Sequence, residues 1–163
     1  MIPVISVVGR SNSGKTTYLE KLIAVMKQRG YKVAVIKHHH QDFEMDQTGK
    51  DTWRHAQAGA DVVCLTSPHK MALIKKSEQE VPLNQVIQLI RDVDIIFTEG
   101  YKQEKKAKIE IYRQAAGHDP LGVKTELLAV AADTVIYDAI PHFSLEEPAA
   151  MADFLEASVL KSK

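Results

Sequence analysis

Near the amino end of the chain, Gly9-Arg10-Ser11-Asn12-Ser13-Gly14-Lys15-Thr16-Thr17 sets two glycines, a lysine and a run of hydroxyl side chains at fixed spacing. Gly9 and Gly14 allow backbone angles and close approaches that a Cβ forbids, so successive N–H groups can turn inward around phosphate oxygens. Lys15 adds a point charge beside the outer phosphates, and Thr16 offers a hydroxyl to a magnesium ion bridging them. A helix starting here directs the positive end of its dipole at the same anion. This is the sequence form of a P-loop, and it predicts nucleotide binding by residues 9–17. Arg10 and Asn12 lie inside the loop, where either can approach the outer phosphate; Arg10 can equally point to solvent.

A metal shell also needs a carboxylate, usually at the end of another strand. Asp94 and Glu99 flank one dense apolar run. Ligands of open parallel sheets sit outside the carboxyl ends of the strands, and five strand residues separate the two acids by about 16 Å. Glu99 therefore falls at the nucleotide end, with Gly100 behind it suited to a close approach, and Asp94 does not. A polar segment over residues 38–50 carries His38, His39, His40, Asp42, Asp46, Gly49 and Lys50, with Asp51 next. It is too long for a routine connection and too polar for core. Asp42 or Asp46 can reach the magnesium directly or through water, and the histidines can take a second anion or a metal; the alternative is a solvated loop. Three consecutive histidines cannot all converge in an extended loop, which argues against a zinc or nickel site. Arg113 follows a strand and can serve a phosphate or a carboxylate in bidentate fashion; the alternative is an ordinary surface loop. No Asn-Lys-x-Asp guanine signature is present. Asp133, after Ala131-Ala132, stands in a comparable place as a base contact or as a turn residue.

The elements that must position these residues alternate. Residues 2–8 read as a buried strand, and Leu19, Leu22, Ile23 and Met26 recur at helical spacing up to a cap at Gly30. Strands are expected at residues 31–37, 61–65, 71–76, 93–98, 108–112, 127–131 and 134–137, with a turn over residues 67–70. Helices are expected over residues 51–58, around Leu83, Val86, Ile87 and Ile90, and through Met151, Phe154, Leu155 and Val159. The expected fold is α/β: a mostly parallel twisted sheet with helices on both faces and an antiparallel hairpin. The length, 163 residues, suits one domain spanning the whole chain.

Lys plus Arg and Asp plus Glu both number 21, so the chain lacks the basic footprint of a general nucleic-acid binder. No apolar run approaches the roughly 20 residues that cross a bilayer, and Met1 leads into a strand rather than a signal sequence. The expectation is a cytoplasmic protein without nucleic-acid or membrane partners. The one cysteine, Cys64, sits in an apolar run and reads as a small buried core residue, with no disulfide framework around it.

Taken together, GRSNSGKTT, VIKHHHQDFEMDQTGKDTWRHAQAGAD, DIIFTEGYKQEKKAKIEIYR and AAGHDP occur in order over nearly the whole chain. This set resembles the MobB family of molybdopterin-guanine dinucleotide biosynthesis adaptors. The resemblance implies a P-loop NTPase fold of the signal-recognition/MinD/BioD class, binding of GTP with Mg2+, at most weak GTP hydrolysis, and homodimerisation. It also implies a MobA-like guanylyltransferase as partner, with molybdopterin or molybdopterin guanine dinucleotide as a further ligand. Carried over by position, the phosphate loop is residues 9–17, the strand-end acid is Glu99, and the histidine and aspartate loop is residues 38–51. Two other classes compete: a metal-insertion GTPase like the nickel chaperones, suggested by the histidines, and a P-loop small-molecule kinase, against which the scattered arginines count.

Overall fold

A computed structural model describes residues 1–122 and 125–160. The described chain divides into two compact units, one of Met1–His38 with the residues from Ile90 onward, the other of His39–Leu89.

The first unit is built on six parallel strands: β1 (Val4–Val8), β2 (Val33–Lys37), β5 (Ile95–Glu99), β6 (Ala107–Tyr112), β7 (Leu127–Ala132) and β8 (His142–Phe143). Their spatial order is β2-β5-β1-β6-β7-β8, so β1 lies between β5 and β6. The chain leaves β1 toward one side of the sheet and returns on the other, which makes the carboxyl end of β1 a topological switch point. Alternate residues of the central strands, Ile5, Val7, Ile95, Phe97, Ile109, Ile111, Ala129 and Ala131, form one apolar face. Against it pack Tyr18, Leu19, Leu22 and Met26 of α1 (Lys15–Gln28) and Met151, Ala152 and Leu155 of α4 (Pro148–Leu155). The helical spacing of these residues aims each apolar stripe at the sheet. Arg29 ties the two helices together through Asp153 at 2.7 Å and Glu156 at 2.9 Å.

Helix α1 ends as its sequence predicts. The amide of Gly30 donates to Lys27 O and that of Tyr31 to Met26 O, the paired bonds of a Schellman cap. Pro148 opens α4 at its first turn, where a missing N–H costs nothing, and a single π-helical turn, Glu156–Leu160, follows.

The opposite sheet face holds polar side chains that are buried and satisfied. Ser6 Oγ and Thr98 Oγ1, register partners on β1 and β5, share a hydrogen bond of 2.9 Å. Lys108 is 2% exposed and donates to Glu126, Glu104 O and Lys106 O. Glu110 is 1% exposed and accepts from Tyr137 Oη–H and the Leu121 amide.

The second unit contains α2 (Asp51–Gln57), the hairpin β3 (Val62–Ser67) with β4 (Lys70–Lys75), and α3 (Leu83–Gln88). The hairpin pairs Val62 with Lys75 through Ser67 with Lys70, and it forms its own two-stranded antiparallel sheet. Lys76 Nζ donates to Ala56 O at 2.7 Å, closing the end of α2 against the end of the hairpin just past β4.

Two expectations are overturned. Cys64 is exposed, not core. Its apolar run belongs to a two-stranded ribbon with exposed residues along both strands, and an apolar run alone does not reveal how many layers will cover it. Residues 134–137 are not a strand. The amides of Ile136 and Tyr137 turn to His142 Nε2, at 3.0 and 3.4 Å, instead of to a neighbouring strand, and the pairing with β7 passes to β8. The same ring's Nδ1 lies 2.8 Å from Ile140 O, so His142 organises this turn from both nitrogens.

Candidate functional site

The P-loop leaves the switch point at the carboxyl end of β1, and α1 begins directly after it. Gly9 has φ +154°, and a Cβ there would collide with Ile111 O of β6 and approach Ser13 Oγ at 2.8 Å. Backbone of β6 thus occupies the space any side chain would need. Asn12 and Gly14 take left-handed conformations at φ 62° and 86°, which fold the loop back over the helix start. The α1 N-terminus receives no side-chain cap, so its first amides remain available to an anion. Ser13 Oγ is buried and has no hydrogen-bond partner among the described residues.

Lys15 lies against this cradle and donates from Nζ to Arg10 O at 2.8 Å. Burial holds its amine below the ordinary lysine range, the Lys37 charge pushes the same way, and Glu99 opposes both. Thr16 Oγ1 donates to Glu99 Oε1 at 3.4 Å, and Lys37 Nζ stands 3.7 Å from Glu99 Oε2. Two oxygen donors and two ammonium groups therefore meet where β1, β2 and β5 end side by side. Glu99 sits here as predicted, while Asp94 lies at the opposite end of β5, accepting from the Lys32 amide at 2.8 Å. Gly100, φ +96°, allows His38 to approach: a Cβ would stand 2.8 Å from His38 O. His38 in turn donates its amide to Glu99 O at 2.8 Å, and its ring lies 4.9 Å from that of Tyr101.

The structure therefore gathers Gly9 to Thr17 with Glu99 into one cluster. Ser11 and Thr17 lie within the loop and the first turn of α1. Arg10 reaches outward, Nε donating to Asp119 O at 3.4 Å. Asp133 accepts the Gln114 amide at 2.9 Å and holds the 3-10 turn Gln114–Ala116, a turn role that occupies one carboxylate oxygen. Asp46 belongs to the second unit, where its carboxylate accepts from the Gln47 amide at 2.8 Å. Among the described residues, no three His, Cys, Asp or Glu side chains form a group able to hold a metal.

Sequence reasoning missed Lys37 and Glu146 but singled out Arg113, and all three lie around this site. Lys37 was legible only as the last residue of a strand, although a charge ending an apolar β2 at the sheet edge that carries the P-loop was the available signal. Arg113 lies beside Gly14, its Nε and Nη2 3.8 Å from the position a Cβ would take. Glu146, 4.0 Å from Arg113 and 2.7 Å from Lys21, carried no local signal at all.

A parallel sheet with a glycine-lysine-threonine cradle at its switch point, backed by a strand-end glutamate, defines a P-loop α/β protein of the NTPase fold. The family model described as "MobB: Molybdopterin guanine dinucleotide synthesis protein B" matches residues 4–133, and the chain belongs to that family. It is 34% identical to the molybdopterin-guanine dinucleotide biosynthesis adapter protein of Escherichia coli (strain K12), over 95% of this chain and 92% of the relative. The adapter protein of Haemophilus influenzae is likewise 34% identical, over 95% of this chain and 88% of its own length. The crystal structure of Bacillus subtilis MobB superimposes with a TM-score of 0.77 at 27% identity, covering 99% of this chain and all of that one.

Proposed function

We propose that this chain is a GTP-binding adaptor in the assembly of molybdopterin guanine dinucleotide, working beside a MobA-like guanylyltransferase. The observation that carries the reading is the cradle: backbone of residues 9–14 folded against β6, an ammonium at Lys15, and Thr16 with Glu99 as adjoining oxygens. The names of the family and of the relatives support the pathway. One nucleotide-binding domain, interrupted in sequence between β2 and β5 by residues 39–89, is the organisation we favour.

The donor set suits magnesium, a hard cation that takes few protein oxygens and keeps most of its water. Thr16 Oγ1 would hold it directly, and Glu99 would accept hydrogen bonds from its water shell; when bound, the ion neutralises phosphate charge. Lys15 binds the outer phosphates, releasing Arg10 O. The amides of the loop orient the triphosphate. These groups bind and orient rather than activate water, so turnover by the isolated protein is expected to be slow. Guanine preference rests on the family resemblance; Asp133 is a candidate base contact by its place after Ala131-Ala132 alone, and one of its oxygens is already taken by the Gln114 amide. Direct docking of the molybdopterin product is a further part of the proposal.

A homodimer fits the second unit. Leu65, Met71 and Leu73 expose large apolar side chains on a hairpin whose two strands are both edges, an arrangement that a second copy would cover. A cytoplasmic location suits a biosynthetic adaptor. No helix among the described residues is long and apolar enough to cross a membrane.

Calorimetric titration with GTP and ATP in magnesium tests the site, and steady-state GTP turnover with and without the guanylyltransferase tests the adaptor role. Binding of GTP with slow turnover by the isolated chain is expected. Retention of neither triphosphate overturns the site, and rapid turnover by the isolated chain overturns the adaptor mechanism.

A further inference from the structure

We propose that Arg113 is a phosphate-binding side chain stored beside the P-loop, restrained by Glu146 until a nucleotide draws it in. The inference rests on the nucleotide-binding reading above and adds one side chain, with its restraint, to that site.

The loop that follows Arg113 is hydrogen-bonded at several points along its length. Gln114 donates its amide to Asp133 at 2.9 Å, and Leu121 donates to the buried Glu110 at 2.7 Å. The Gly122 amide donates to Tyr137 Oη at 3.0 Å, and that hydroxyl donates on to Glu110 at 2.9 Å. Arg10 joins the loop to the phosphate cradle through Asp119 O. Only the Arg113 side chain has to move, which limits the ordering cost of its engagement.

Its present position is adjacent to the cradle and loosely held. Both guanidinium nitrogens nearest Gly14 lie at van der Waals distance from where a Cβ would project, alongside the last loop residue before α1. The partner, Glu146 Oε1, is 4.0 Å from Nη2, beyond hydrogen-bonding distance. The other carboxylate oxygen is taken by Lys21 at 2.7 Å. Lys21, with Arg113 as the lesser contributor, holds the Glu146 carboxyl below the usual range, so it stays ionised when the arginine leaves. Neither charge is stranded by the exchange.

Comparison of the two partners decides the direction. An exposed ion pair at such a separation is weak, and the Arg113 and Glu146 side chains are 42% and 69% exposed. A phosphate offers the guanidinium two parallel charge-assisted hydrogen bonds. The nucleotide therefore outcompetes the glutamate.

The test is a binding titration of the full chain with a fluorescent GTP analogue and, separately, with inorganic tripolyphosphate, both in magnesium. Arg113→Ala is expected to weaken both by about tenfold, with Arg113→Lys recovering part of the loss because a point charge keeps only the Coulombic share. Glu146→Gln is expected to tighten both by about two- to fivefold. The melting temperature without ligand should be unchanged in all three, which a structural role would not allow. Wild-type affinity in Arg113→Ala, while Lys15→Ala abolishes binding, overturns the inference and leaves the P-loop reading standing. Weakening toward GTP but not tripolyphosphate assigns Arg113 to base or ribose and also overturns it, and unchanged or weaker binding in Glu146→Gln removes the restraint. If the unmodified chain binds neither ligand, the nucleotide reading fails and this inference fails with it.

Discussion

The hydroxyl of Thr16 donates to a carboxylate oxygen of Glu99 at 3.4 Å, although 83 positions of sequence separate them. They meet because β1 and β5 are parallel neighbours in register, with Val7 opposite Glu99, so both strands finish at one edge. Glu99→Gln keeps the shape and removes the charge. It is expected to weaken GTP binding about tenfold in magnesium and to change little in EDTA, read from titrations over a magnesium series. An unaltered magnesium dependence would remove Glu99 from the metal shell.

On the proposed reading Lys15 brings its charge to an anion site from the half-buried first position of α1, so its removal should affect binding far more than folding. Lys15→Ala is expected to lower GTP affinity by at least about a hundredfold while shifting stability by less than about 1 kcal/mol. Thermal melting and equilibrium dialysis on one preparation separate the two.

The same lysine carries a pH signature. Its amine is held below the ordinary lysine range by burial, and the protonated form is the one that binds phosphate. Affinity should therefore be full below that lowered value and decline as pH rises through it, earlier on the alkaline side than an unperturbed lysine would allow. Bound phosphate favours the protonated form, so proton uptake on binding should grow through the same range. Calorimetry in buffers of different ionisation enthalpy reads it directly.

Gly9 is the position where geometry leaves no freedom. A methyl group there meets Ile111 O and Ser13 Oγ at a positive φ, so strain and collision add. Gly9→Ala is expected to cost about 2 kcal/mol or more of stability and to lose nucleotide binding, measured by denaturant unfolding and dialysis. Wild-type stability in this variant would mean that β6 and the loop part easily.

The exposed hairpin gives an independent test of assembly. Leu73, 56% exposed on β4, carries apolar surface opposite Cys64 of β3. Leu73→Asp is expected to leave a monomer at concentrations where the unmodified chain sediments as a dimer, with GTP binding retained. A monomer in both cases would discard the proposed second copy.

The predicted strand and helix on either side of the P-loop correspond to β1 and α1, down to the Gly30 cap, because those signals are local. Glu99 was placed at the nucleotide end, and Asp94 away from it, by strand rise and direction alone. Residues 134–137 misled because a β-branched run over a few residues does not say where its amides will bond, and here a histidine six residues on takes them. Cys64 misled for the complementary reason: its apolar neighbours pair only with β4, and burial depends on layers that a run of residues does not encode.

The P-loop and its flanking elements are legible from local sequence, since nine contiguous residues carry their own backbone angles, amides and charge. The packed fold alone places Lys37 beside Glu99, seals the space behind Gly9 with β6, and rests Arg113 between Gly14 and Glu146. Those relationships follow from which strands become neighbours and where they end together, and strand order is a property of the whole sheet rather than of any segment within it.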